Sequence, residues 1–445
     1  MHVFRAIARL VIVILLISVD SIAQACSIWE DDEGMWHQED CTLAELTEQI
    51  GPEIEYIAVN EAQGLCDVFI TQQDLDASLP YVIAQPGIYC VAEDLEVFLE
   101  SEQELGPAPS DSAIEIQSNR VSLWFLGRDL RNTNTTSADH ERGTGVLISG
   151  GTDISISNGG IGGFTVGVGK YAYQVGGSIA SRQNNIYNIE FNLNLVGLSI
   201  DFTIPQHTLI HRNKFGGSRV SIAIAVPNIV INTTNVGIVV QDNDIALDQP
   251  MIIGNEAIGI DVWGASNITL ENNRIVGDRL LFSSGLSRYY GVKMKSTYNT
   301  IIESNVITGM MYGIAFEHGN WGGVDNIVRF NEIYGGAKNS YVPDPNYKVP
   351  QSSDGVAGIS VEGERDFTLT GNRIYSGRDK GYPTGIEMNN TTFATTFLGS
   401  PAFDDNETCG TEDPVSDSNL QGRVATLNQF EVCRNRQVGP SPLKQ

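Results

Sequence analysis

Lys293 and Lys295, two residues apart in Gly291-Val-Lys-Met-Lys, are the pair best suited to acid–base work in this 445-residue chain. A lysine whose proton affinity is lowered by burial can accept a proton beside a carbonyl, the opening step of β-elimination from a uronic acid. Glu317, followed by His318, and Glu362 stand in matching surroundings, Gly313-Ile-Ala-Phe-Glu-His and Gly358-Ile-Ser-Val-Glu. Two carboxyls held close together drive their proton affinities apart and place an acid beside a base. A separation of about 5–5.5 Å is the one used by retaining glycoside hydrolysis. Asp261, Trp263, Arg279, Arg288, Tyr289, Tyr290, Trp321 and Glu387 are the candidates for holding a substrate. Arg274, Arg279, Arg288, Lys293 and Lys295 fall within 22 residues against the single acid Asp278. The aromatic rings nearby offer flat faces on which sugars stack.

These residues sit in an imperfect repeat, which dictates how they are positioned. Asn267-Ile-Thr-Leu-Glu-Asn-Asn-Arg-Ile-Val-Gly277 is echoed by segments beginning at Asn299, Asn326 and Asp366. Each copy leads, after an insert of variable length, into Gly-(Ile/Val)-x-apolar at Gly291, Gly313, Gly358 and Gly385. The apolar positions alternate, so each copy is a short strand with one buried side. Three buried side chains cannot stabilise a strand alone, so the copies must stack around a shared core. With Val292 and Met294 inside, alternation sends Lys293 and Lys295 outward. It does the same for Asp261 and Trp263, Ala315 and Glu317, Ser360 and Glu362, and Glu387. Because neighbouring rungs lie about 4.8 Å apart, Glu317 and Glu362 are expected on successive rungs with their carboxyls close. Asn158, Asn192, Asn213, Asn243, Asn273, Asn305, Asn331 and Asn372 recur at one turn, where asparagine tolerates left-handed backbone and its amide can bond the copies above and below.

Residues from about 110 to 395 resemble the right-handed parallel β-helix repeat family, whose founders include pectate lyases and related secreted polysaccharide-acting proteins. The stretch Pro86-Gly-Ile-Tyr-Cys-Val, then Ala113-Ile-Glu-Ile and Val121-Ser-Leu-Trp-Phe-Leu-Gly, is similar to the opening rungs of such proteins. The resemblance implies an all-β, single-stranded right-handed solenoid, to which the chain's own N-terminal residues add a small helical and disulfide cap. It implies no particular reaction. The Asp-Pro-His-Asp string of mannuronan epimerases and the acidic set of polygalacturonase-type hydrolases are both missing.

The two ends differ from the middle. Arg5 and Arg9, an apolar run from Leu10 to Val19, and Ala23-Gln24-Ala25 predict a signal peptide over residues 1–25. The expected product is therefore secreted, periplasmic or extracellular. Residues 26–110 are expected to form an acidic cap with the first rungs, 111–403 the β-helix, and 404–445 a disulfide-stapled C-terminal cap. Thr42 to Gly51 reads as a helix, with Thr42 and Glu45 in a capping-box pattern. Six cysteines survive cleavage, all near the ends, and neighbour pairing gives Cys26–Cys41, Cys66–Cys90 and Cys409–Cys433. The mature chain carries 53 acidic and 25 basic residues, and residues 26–119 contain 22 of the acids with no lysine or arginine. Such a charge excludes nucleic acid as a partner class. The acidic segment leaves Ca2+ as the candidate cofactor, although no EF-hand-like string supports it. No segment is long enough to be a transmembrane span, and a monomer is expected.

Three readings remain open on sequence. The first is an enzyme on an acidic polysaccharide, lyase or glycoside hydrolase, using Lys293, Lys295, Glu317, His318 and Glu362 in a groove on the β-helix face. The second is a non-catalytic glycan-binding protein, and the third a structural surface protein whose outward charges are merely solvated.

Overall fold

The computed structural model describes residues 25–30, 36–40, 64–99, 111–134, 142–171, 184–201, 208–225, 237–247, 256–277, 288–317, 323–335, 357–376, 384–389, 403–404, 406–409, 413–417 and 430–432. The chain divides into two units, residues 1–61 and 62–445. In the first, Ala25–Glu30 pairs antiparallel with Trp36–Asp40. The helix expected over 42–51 lies outside the described residues, as do the side chains of the Cys26–Cys41 and Cys409–Cys433 bridges. A short helix, Gln72–Ala77, occurs in the second unit. Its first turn is closed by Asp74, whose carboxylate accepts from the Thr71 N–H and hydroxyl at 2.8 and 2.6 Å. No described helix is long and apolar enough to cross a membrane.

The second unit is a coil of short parallel strands that visits three faces per turn. Sheet I contains, in order along the axis, Thr208–His211, Ile238–Gln241, Ile268–Glu271, Ile301–Glu303, Ile327–Arg329 and Thr368–Thr370. Sheet II contains Lys214–Gly216, Asp244–Leu247, Arg274–Gly277, Val306–Thr308, Glu332–Gly335 and Arg373–Ser376. Sheet III contains Val220–Ala225, Glu256–Trp263, Arg288–Lys295, Tyr312–Glu317, Ala357–Glu362 and Thr384–Asn389. In the early coils Val121–Asn132, Ile154–Gly162 and Asn184–Asn192 run through sheets I and II without a break. Rungs begin at Val68–Ile70, next to which Cys66 is bridged to Cys90 with Cα atoms 5.9 Å apart. Strands Asn406–Cys409, Asp413–Asp417 and Phe430–Val432 carry the stacks past residue 403.

Inward side chains fill the coil in columns. Ile210, Val240, Leu270, Ile302, Val328 and Leu369 form one, and Ile245, Ile275, Ile307, Ile333 and Ile374 another, all fully buried. Each buried aliphatic contributes roughly 1.5–3 kcal/mol relative to exposure, so the stack holds only because the columns are continuous. The recurrent glycine entering sheet III has a steric cause. A Cβ on Gly291 would stand 2.6 Å from both the Gly313 carbonyl oxygen and Ile307 Cγ2, so no larger residue fits where the chain turns in. On the outer face of sheet II, opposite charges follow one another: Arg274 pairs with Asp244 at 2.7 Å, and Arg373 lies 3.5 and 3.7 Å from Glu332 and Glu407.

The asparagine ladder differs from the expected one at both ends. Its members are Asn213, Asn243, Asn273, Asn305, Asn331, Asn372 and Asn406, each linked to the next through Nδ2 and Oδ1 at 2.9–3.0 Å. Each amide also donates to a carbonyl of the preceding rung, so its capacity inside the core is used. Asn158 and Asn192 stand outside it. Asn158 aligns with the residue before the ladder position and pairs with Asn188, while Asn192 bonds Glu190 on the outer surface. The left-handed residue of this turn is the one preceding the ladder: Arg212, Asp242, Asn272, Ser304 and Phe330 all have φ between 53° and 57°.

Candidate functional site

Three consecutive rungs of sheet III, Glu256–Trp263, Arg288–Lys295 and Tyr312–Glu317, bring together the charged outward residues. Strand register aligns Asp261 with Lys293, Trp263 with Lys295, and Lys295 with Glu317. The next rung carries Glu362 beyond Glu317, and Ser360 aligns with Glu387, to which its hydroxyl donates at 3.3 Å. Alternation is the cause. Val292 and Met294 are fully buried inside the coil, and the lysines between and after them emerge on the other face.

Lys293 is held at the centre of this cluster. Its ammonium lies 2.8 Å from Glu256 Oε2 and 3.5 Å from Glu317 Oε2, and its side chain is only 13% exposed. It also sits 4.8 Å from the centroid of Tyr290, an attraction between cation and ring face. Tyr290 donates its hydroxyl to Glu317 Oε1 at 2.9 Å and stacks on Tyr312 at 5.1 Å. Burial raises the Tyr290 phenol far above its usual range, reinforced by the charge of Glu317 and the bond to it. Arg288 approaches the other oxygen of Glu256 at 4.0 Å.

This geometry changes the expected role of Lys293. Burial does pull its proton affinity down, but the bond to Glu256 and the charges of Glu317, Glu256 and Asp261 outweigh it, and the ammonium ends above the ordinary lysine value. An ammonium stabilised in this way does not serve as a base near neutral pH. Asp261 takes the opposite course. Burial pushes its carboxyl up to about 6; Lys293 and Lys295 pull it down, and Glu256 and Glu317 push it further up. A carboxyl at that value exchanges its proton in the range where general acid–base catalysis is efficient.

The other expected residues are distributed as follows. Trp263 is half exposed and presents its ring beside Lys295, which is also exposed. Tyr289 is fully buried in the core rather than available for stacking, and Tyr290 is covered by the network it supports. The five basic residues crowded in sequence separate in space: Arg274 belongs to the charge row of sheet II, whereas Arg288, Lys293 and Lys295 share sheet III. Glu317 turns both oxygens toward Tyr290 and Lys293 on the rung before it, whereas Glu362 lies on the rung after. His318, Trp321 and Arg279 lie outside the described residues. Two participants escape a reading of the sequence alone, Glu256 and Tyr312. Glu256 is 37 residues from Lys293 in the chain, and only the strand register across an insert aligns its rung with that of Arg288. No group of three or more His, Cys, Asp or Glu side chains arranged to hold a metal ion occurs among the described residues.

No family model matches the chain, and no curated protein does. Among solved structures, it is similar to an alginate lyase from Paenibacillus sp. str. FPU-7, at 14% identity and a TM-score of 0.32 over 82% of this chain and 97% of that one. It is also similar to the A-module of the Azotobacter vinelandii mannuronan C-5 epimerase AlgE4, at 12% identity and 0.38 over 86% and 95%. A GH87 α-1,3-glucanase catalytic unit from Streptomyces thermodiastaticus matches at 11% identity and 0.34, over 83% and 67%. Likenesses of this degree carry no argument by themselves; the register of the strands establishes the architecture. Every strand in the three stacks is parallel, and since crossovers between parallel strands are right-handed as a rule, the chain is a right-handed parallel β-helix.

Proposed function

We propose that the protein is exported and acts on an acidic polysaccharide laid along sheet III. The observation that carries this reading is a carboxyl near neutrality, Asp261, beside an exposed cation and an exposed indole, Lys295 and Trp263, on adjacent rungs. In β-elimination Asp261 would take the proton next to the uronate carboxylate and Lys295 would neutralise that carboxylate as charge develops. The C4–O4 bond breaks as the C4=C5 double bond forms, and the departing oxygen takes its proton from the now protonated Asp261 or from water. Trp263 would stack on a neighbouring ring. Lys293 then serves to position, holding Glu256 and Glu317 and setting the field around Asp261. The proteins named above act, by their descriptions, on alginate, mannuronan and α-1,3-glucan, which makes uronans the first substrates to try.

The test is a polysaccharide panel of alginate, pectate, glycosaminoglycans and neutral controls. Each is followed for unsaturated uronate absorbance and for new reducing ends, with calcium and with chelator. Unsaturated product from the parent chain, lost in Asp261→Asn and reduced in Lys295→Ala, is the expected result. Full turnover in Asp261→Asn removes the assignment. Reducing ends without unsaturation would point to hydrolysis through Glu317 and Glu362, and saturable binding without any product to a glycan-binding protein.

A further inference from the structure

A second feature, on sheet II rather than sheet III, has the shape and lining of a ligand site. A depression of about 480 Å³ is bounded by Asp129, Arg131, Asn192 and Leu193, with glycines at 160, 162, 163, 216 and 217 as its floor. It arises from one rung, Gly159-Gly-Ile-Gly-Gly163, that sends no side chain outward. Register aligns Gly160 with Asp129 on the rung before and Glu190 on the rung after, and Gly162 with Arg131 and Asn192. The bare rung is therefore a notch between two walls that carry polar side chains. Asp129 leans its carboxylate over Gly160 and Leu193 covers Gly217, so the open floor narrows to Gly162, Gly163 and Gly216, against which one face of a pyranose ring can rest.

The walls supply what a sugar needs. Asp129 and Arg131 form an ion pair with the carboxylate over Gly160, and together present acceptors and donors to adjacent hydroxyls. Asn192 donates Nδ2 to Glu190 at 2.8 Å, and its Oδ1 receives no donor among the described residues. Leu193 is 49% exposed although its backbone is left-handed, φ 55°, and its side chain lies over Gly217. A branched apolar residue in that conformation is uncommon and costs about 1 kcal/mol or more. Here it gives the notch an apolar lip. Asn132, by contrast, is bonded to Leu99, Asn134 and Arg142 and belongs to the scaffold. The charges favour no anion: Arg131 and Lys214 face Asp129, Glu190 and Asp94, whose carboxylate accepts from the Asp129 N–H at 3.1 Å.

We propose that this notch is a second carbohydrate site, one that takes a neutral pyranose, independent of the acidic-polysaccharide reading of sheet III. The experiment is affinity electrophoresis and titration calorimetry of the full chain against dextran, laminarin, mannan and galactan, with alginate as the acidic control. Two substitutions spare the fold. Leu193→Asn relieves the left-handed strain while removing the apolar lip, and Asn192→Ala removes an exposed amide. The expected result is retardation by at least one neutral polysaccharide and about tenfold weaker binding in each variant, the loss of one good contact. Trp263→Ala should leave that binding unchanged, and both notch variants should handle alginate as the parent does. The proposal is overturned if no neutral polysaccharide binds, if binding survives both substitutions, or if Trp263→Ala abolishes it.

Discussion

Replacing Asp261 with asparagine should make the protein more stable and less competent at the same time. Burial raises the Asp261 carboxyl from 3.8 to about 6, so the folded state holds a proton that the unfolded chain has already released. The direction follows from linkage. Below the unfolded value both states are protonated and the group is neutral in its effect. As pH rises from there through the folded value the unfolded state ionises first, and stability is lost. A rise of that size corresponds to about 3 kcal/mol at most, and partial exposure of the side chain reduces this to about 1–2 kcal/mol. The amide introduced by Asp261→Asn cannot ionise and escapes the loss. The thermal midpoint of Asp261→Asn should therefore exceed that of the parent at about pH 7.5 but not at about pH 3.5, while uronan turnover falls. Gains in stability at the expense of activity are the usual mark of a strained functional residue. A variant less stable than the parent at neutral pH, or equally shifted at both pH values, would show that Asp261 is an ordinary solvated carboxylate and refute its assignment as a base.

Three other substitutions probe the same framework. Lys293→Met strips Glu256 and Glu317 of their shared cation and removes one that lowers Asp261, so the acid limb of any pH–rate profile should move to higher pH by about one unit. Trp263→Ala should weaken acidic-polysaccharide binding about tenfold, seen as a raised KM with kcat little changed, because stacking acts equally on ground and transition states. Asn305→Ala leaves the Asn273 N–H and the Leu270 carbonyl without their side-chain partners in the core. At about 1–3 kcal/mol for each stranded group, a loss of about 3–5 kcal/mol is expected in the unfolding free energy, with no change in substrate preference.

The solenoid is legible because its cause is local and repeated. Alternation around Val292 and Met294 is enough to say which lysines emerge, and copies too short to stand alone must stack. The turn is less legible. The recurrence of asparagine suggests that it supplies the left-handed backbone itself, but the ladder residue has all its amide capacity engaged with adjacent rungs, and the residue before it makes the turn. Asn406 joins the ladder without a signal because the strand motif around it is degraded. Tyr289 and Tyr290 read as flat faces for a sugar, yet one enters the core and the other the outer apolar patch with Ile258 and Ala315. The parity of the strand shifts at Gly291, where no side chain marks the phase. Glu256 is invisible for a different reason. Its meaning depends on a register set by the insert after Gly277, and nothing in the composition of that insert encodes the alignment. Charge balance, too, reads differently in space, since Arg274 and Lys293 are near neighbours in sequence and occupy different faces.

The parity of the rungs behaves like a reading frame. Removing a single residue inside a sheet III strand exchanges its inner and outer side chains, which would turn Lys293 inward and Met294 out, and destroy core and site together. Excising a whole coil, from one ladder asparagine to the next, preserves the frame. The asparagines on either side could still meet, the aliphatic columns would close, and only the outward composition would change. Surface chemistry in such a chain can therefore be edited by the turn, with Lys293 and its neighbours treated as a cassette, while the strands themselves tolerate almost no insertion or deletion smaller than one turn.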